Sequence, residues 1–242
     1  MVNRTRIGFD RSIHSEWLDA AVARVLTGEN PEESRKSLWE FLEGIERGTT
    51  NNSGRGKTLT VLTRIWVSVP AHAEPLKQAA LKLVSSVSAN QRICIHWAMI
   101  SGTHPFFFEV ATHVGKLVKL HGHANRTQLK RRMTEKWGDR ETLERTIQHV
   151  LKSMTQWELL RAGQEHGSLI GPIKKVNAGA ELSGLLAHAL LLAHGSGMSL
   201  AQLIDHASLF PFEVNLQAGT LRQNPIFRVQ RQGDQVEFVE LA

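Results

Sequence analysis

The feature that most constrains this chain is where its positive charge sits. Between Lys116 and Lys152 there are ten Lys/Arg and four Asp/Glu. That excess equals the formal net charge of the whole 242-residue protein, +6, so the remainder sums to zero. A basic excess confined to one short region predicts a surface that meets phosphates. The apolar residues at the end of this region are spaced for one helix. Leu143, Ile147, Val150, Leu151 and Met154 share a face, while Arg140, Glu141, Glu144, Arg145, Gln148, His149 and Lys152 lie opposite. The spacing predicts a helix over 139–155, with Asp139 as N-cap after Gly138 breaks the helix before it.

That preceding helix is shorter. Asn125 or Thr127 can cap it, Leu129, Met133 and Trp137 point inward, and Lys130, Arg131 and Arg132 occupy its rim. Trp137-Gly138-Asp139 is the turn between the two. After them, Leu159–Ala162 and Leu169–Ile173 are expected to pair across a 164–168 loop, with Arg161 and His166 near its tip. From His104 to Val176 the order is helix, short helix, longer helix, two short strands. That order resembles winged helix-turn-helix DNA-binding domains. The resemblance implies duplex DNA as a partner, with helix 139–155 in the major groove. Arg140, Arg145, Gln148 and His149 would lie nearest the bases; Lys130, Arg131, Arg132 and Lys152 would take phosphates. Arg126 joins them as a DNA-contact candidate, and the loop carrying Arg161 and His166 would approach the neighbouring groove. Glu141 and Glu144 share the reading face. They would penalise loose phosphate contact, although glutamate can accept from cytosine. Two other readings fit the same residues: a protein–protein adaptor built on winged modules, and a transcriptional regulator.

The rest of the chain reads as mainly α. Residues 1–103 are expected to form an N-terminal helical bundle with short connections. Its helices begin near Ser15, at Pro31, near Leu59, at Leu76 and at Gln91, with Gln91–Ile100 apolar on most sides and therefore central. Residues 104–176 are the winged unit, and 177–242 form a C-terminal helical and hairpin module. In the last, Leu182, Leu185, Leu186, Ala189 and Leu190 mark a helix, Ser199 and Gln202 a capping box, Phe212–Leu221 a short helix, and IFRVQ and QVEFVEL a hairpin. The succession fits either a second winged helix or a helical tail whose hairpin covers the core. From Ser196 onward there are three Arg, no Lys and five Asp/Glu. A surface of that sign is expected to meet other, larger proteins or to pack, rather than to hold DNA. A helical front half joined to a winged unit also looks like the BrxA-type small proteins of bacterial anti-phage defence islands. That likeness implies a non-catalytic, DNA-binding accessory subunit.

Catalytic chemistry is not indicated. Gly56-Lys57-Thr58 invites a phosphate-loop reading, but the motif needs a glycine at 51, where Asn51 stands, and a strand leading in. The flexible-looking 49–56 stretch, which leads into Lys57, reads as a plain solvated linker; a milder alternative has Arg55 and Lys57 touch a phosphate backbone at a helix N-terminus. His113, His121 and His123 lack a cysteine or carboxylate to complete a metal set. The single cysteine, Cys94, lies in an apolar run and reads as core. No cofactor, no metal and no enzymatic activity are expected. The apolar run Leu182–Ala193 is too short for a membrane span, and a soluble cytoplasmic protein is expected.

Overall fold

The computed structural model describes residues 7–164, 167–233 and 236–242, and the fold is mostly helical with small sheets. The front of the chain forms α1 (Ser15–Leu26), α2 (Pro31–Phe41), α3 (Gly54–Leu62), α4 (Glu74–Val84) and α5 (Ala89–Thr103). Helix α2 starts where local chemistry demands it. Asn30 Oδ1 accepts from the Glu32 and Glu33 amides at 3.0 Å, Glu33 Oε2 accepts from the Asn30 amide at 2.9 Å, and Pro31 occupies the first turn. Helix α3 begins at Gly54, earlier than the sequence suggests, because Ser53 Oγ accepts from the Gly56 amide at 3.3 Å. It ends in a π turn, Thr63–Val67. Helix α5 is the central rod. Every residue from Cys94 to Thr103 is buried, and the Trp97 ring meets Phe107, Phe210 and Phe212 edge-on with centroids 5.0, 6.0 and 5.3 Å apart. These contacts join the front helices to both later parts of the chain around one core.

Next come α6 (Pro105–His121), β1 (Ala124–Asn125), α7 (Arg126–Trp137), α8 (Glu141–Gln156), β2 (Arg161–Ala162) and β3 (Ser168–Ile170). The three strands form one antiparallel sheet in the order β1-β3-β2. Strand β3 stops at Ile170 rather than reaching Ile173. Pro172, with no amide to donate, ends the ladder, and Ile173 is 85% exposed. The last part contains β4 (Val176–Asn177), α9 (Gly179–His194), β5 (Met198–Ser199), α10 (Leu200–Ile204), β6 (Phe212–Glu213), α11 (Ala218–Gln223), β7 (Phe227–Gln232) and β8 (Val236–Leu241). The Ser199/Gln202 capping box forms as expected. The helix expected over Phe212–Leu221 does not. Phe212 and Glu213 instead pair in parallel with Val176 and Asn177, and α11 starts only at Ala218.

The third sheet runs β5-β8-β7. Apart from the 3-10 turn Ala207–Leu209 and β6, which come between α10 and α11, the order α9, β5, α10, α11, β7, β8 follows that of α6, β1, α7, α8, β2, β3, with the last strand central in each sheet. The two runs share no evident sequence repeat, so topology alone carries the correspondence. Gly115 fixes how closely α6 meets the later part: a Cβ there would lie 1.9 Å from the Ala207 carbonyl oxygen.

Candidate nucleic-acid interface

The basic region folds into one helical unit whose interior is the apolar face foreseen for it. Leu129, Met133 and Trp137 of α7, and Leu143, Ile147, Val150, Leu151 and Met154 of α8, are all buried. Asn125, not Thr127, caps α7, accepting from the Thr127 amide at 2.8 Å. Gly138 then closes α7 with φ +76°, a conformation that favours glycine. The chain is still extended at Arg140, so α8 begins at Glu141, one residue later than the expected Asp139 cap would give.

The outward face of α8 is open. Glu141, Glu144, Arg145, Gln148 and Lys152 are exposed, as are Arg126, Lys130, Arg131 and Arg132 on α7, and Arg140 between the two helices. Part of this charge is internally neutralised. Lys130 Nζ lies 2.6 Å from Glu144 Oε2, and Arg131 Nε lies 3.5 Å from Glu135 Oε1. The hydrogen bond and charge of Glu144 push the Lys130 ammonium above its usual range. Such exposed pairs add little stability. Among the described residues, Arg126, Arg132, Arg145 and Lys152 form no ion pair.

His149 takes a different place from the one its spacing suggests. It is half-buried on the edge of α8, with Nδ1 3.2 Å from Ser12 Oγ. Two more contacts follow along that edge: the Ile13 amide donates to Ser153 Oγ at 2.8 Å, and Gln156 Nε2 meets His14 Nε2 at 2.9 Å. The segment 12–14 thus lies beside the C-terminal half of α8. Burial holds the His149 imidazole below its ordinary pKa. The positive charges of Arg11, Arg145 and Lys152 push the same way, against the weaker pull of Asp10. His149 is therefore neutral at pH 7, mainly through burial, with the positive field of its neighbours a smaller contribution. Arg11 belongs to this field, yet nothing local in the sequence placed it beside a helix well over a hundred residues away.

Arg161 is exposed on β2, and its Nε donates to the Gly171 carbonyl at 3.1 Å. His166 lies outside the described residues. The front loop contributes nothing to this face through Arg55. That guanidinium is buried, donates from Nε to the Trp39 carbonyl at 2.8 Å and covers the Trp39 ring at 4.3 Å. Arg55 is a structural bolt between α2 and α3, which removes it from the phosphate-backbone contact raised as an alternative for this stretch. Cys94 is fully buried, with its thiol pushed up to about 12 by burial, so it is core. Among the described residues, no group of three or more His, Cys, Asp or Glu is placed to hold a metal ion, and no helix is long and apolar enough to cross a membrane.

No protein-family model, no curated protein and no solved structure matches the chain.

Proposed function

We propose that residues 105–170 form a winged helix-turn-helix that binds duplex DNA without catalysing a reaction. In this reading α8 enters the major groove. Arg140, Arg145 and Gln148 then lie nearest the bases, with His149 at their edge. Arg126, Lys130, Arg131, Arg132 and Lys152 take phosphates, and the loop after Arg161 approaches the adjacent groove. The observation that carries the reading is the open outward face of α8, packed against α6 and α7 and edged by Arg126, Arg132, Arg145 and Lys152, which form no ion pair among the described residues.

The experiment is a mobility-shift titration of the full chain on a mixed-sequence duplex, comparing wild type with Arg140→Ala/Arg145→Ala. Loss of at least about tenfold in affinity is expected, since each good base contact contributes about 1–3 kcal/mol. An unchanged affinity in the folded double variant contradicts the assigned reading helix. Following the likeness to BrxA-type proteins, the proposed setting is an accessory role in a bacterial anti-phage system.

A second reading, a protein adaptor, is favoured by one observation: Glu144 ties up Lys130 on the presumed reading face. An adaptor would retain its partner at salt concentrations that strip DNA from a phosphate-binding face. For the C-terminal module we propose the same winged topology put to protein contact, because its exposed Arg222 and Arg228 are already paired with Glu237 and Glu240.

A further inference from the structure

A cavity of about 500 Å³ lies where the C-terminal module meets the front helices, between α4, α9, α11 and the start of β7. Leu83, Leu185, Leu216, Leu221 and Phe227 make its walls largely apolar. One wall carries His188, which is buried; its Nδ1 is sealed from solvent and has no hydrogen-bond partner among the described residues, so Nε2 is the nitrogen left to the cavity. A buried polar nitrogen in that state costs about 1–3 kcal/mol. Its ring is held edge-on to Phe227, with centroids 6.4 Å apart. Burial pushes the imidazole down to about 4, so it is neutral at pH 7 and offers one acceptor nitrogen.

Gly184 lines the same cavity one helical turn earlier on α9. A Cβ placed there would meet nothing within 4 Å. Glycine inside a helix is about 1 kcal/mol less favourable than alanine. Neither a close approach nor a positive φ requires it here. Its effect is to leave room. At the mouth, Lys82 and Glu181 are both exposed and opposite in sign, so the entrance has no net charge preference.

We propose that this cavity is a binding site for a small neutral molecule with a compact apolar body and one hydroxyl or N–H group that donates to His188. The volume falls within the range typical of small-molecule sites, about 300–1,000 Å³, and an apolar lining with one placed polar group is their usual chemistry. The body packs against Leu83, Leu185, Leu221 and Phe227, in the space that Gly184 leaves open.

The test uses 2-naphthol and naphthalene as probes of the full chain, titrated by fluorescence. They share a shape and differ by one hydroxyl donor. The expected result is one saturable site, with 2-naphthol bound about tenfold more tightly, the ratio that one hydrogen bond of about 1.4 kcal/mol gives. Gly184→Leu, which fills the cavity, should weaken 2-naphthol by at least about tenfold. Gly184→Ala should leave the fold intact or raise its melting temperature, and weaken 2-naphthol by about threefold. His188→Leu should bring the two probes to equal affinity. Absence of saturable 2-naphthol binding overturns the proposal. So does undiminished binding in Gly184→Ala, or in a Gly184→Leu protein that keeps its helical circular dichroism.

Discussion

The two halves of the chain after α5 share an element order and a sheet order but present opposite surfaces. In the central unit the third helix, α8, has 16 residues, spans about 24 Å and buries a full apolar face. In the C-terminal module the corresponding helix, α11, has 6 residues, spans about 9 Å and buries only Leu221. The central unit leaves Arg126, Arg132, Arg145 and Lys152 unpaired among the described residues. The C-terminal module joins Arg222 to Glu237 and Arg228 to Glu240. The contrast teaches that a shared topology can carry different surfaces. The proposed division of uses rests on the length of the exposed helix and on whether its cations are already paired.

The sharpest way to break this comparison is through the core beneath each helix. Leu151→Ala should destabilise the protein by about 2–5 kcal/mol, because a fully packed side chain leaves a cavity. Thermal denaturation reads the loss, and duplex affinity should fall with it. Leu221→Ala, at an equally buried position, should lower stability while leaving duplex affinity intact below the transition. Charge reversal separates the two surfaces without touching the core. Arg145→Glu/Lys152→Glu should reduce duplex affinity by about 100-fold at low salt. Arg222→Glu/Arg228→Glu should change it less than about twofold, because those cations face carboxylates. Equal losses from the two pairs would erase the distinction drawn between the units.

Acid should destabilise the protein in part through His188. The folded-state pKa of His188 is lowered to about 4 from an ordinary value near 6.5. Between those values the unfolded chain binds a proton that the folded chain excludes, so stability is complete above about pH 6.5 and falls as pH drops toward 4. The loss from this one group is on the order of 3 kcal/mol at pH 4. His188→Leu should flatten the dependence of the urea midpoint on pH over that window, and an unchanged slope would remove His188 as its source. His206, lowered to about 4 by burial with help from His194 and Lys116, should leave a residual slope of the same sign. The smallest expected effect lies on the α7–α8 seam. Glu144→Gln releases Lys130 and removes a negative charge from the presumed reading face, so affinity for non-specific duplex should rise by about threefold. A fall would mean that Glu144 itself contacts the nucleic acid.

Much of the local structure was legible in the sequence. Pro31 after Asn30, the Ser199/Gln202 pair, Gly138 between two helices and the apolar face from Leu143 to Met154 all act through neighbours within a few residues. The illegible parts depend on distant partners. Strands β1 and β5 have two residues each and exist only because β3 and β8 come to lie beside them. The parallel β4–β6 pair, which displaced an expected helix start, joins residues far apart in sequence. At the candidate site, the exposure of Arg126, Lys130, Arg131, Arg132, Arg145, Gln148 and Lys152 followed from helical spacing. The position of His149 did not, because the Ser12 hydroxyl beside it comes from the other end of the chain. Arg55 failed as a surface cation for the same reason: the Trp39 carbonyl and ring that hold it belong to another helix.

The salt dependence of duplex binding by the full chain tests the central claim most directly. If the open cations around α8 neutralise phosphates, log affinity should fall linearly with log salt, with a slope between about −4 and −6. The Arg145→Glu/Lys152→Glu protein should show a slope shallower by about two. A slope near zero, or no duplex binding at low salt by the folded protein, would contradict the account.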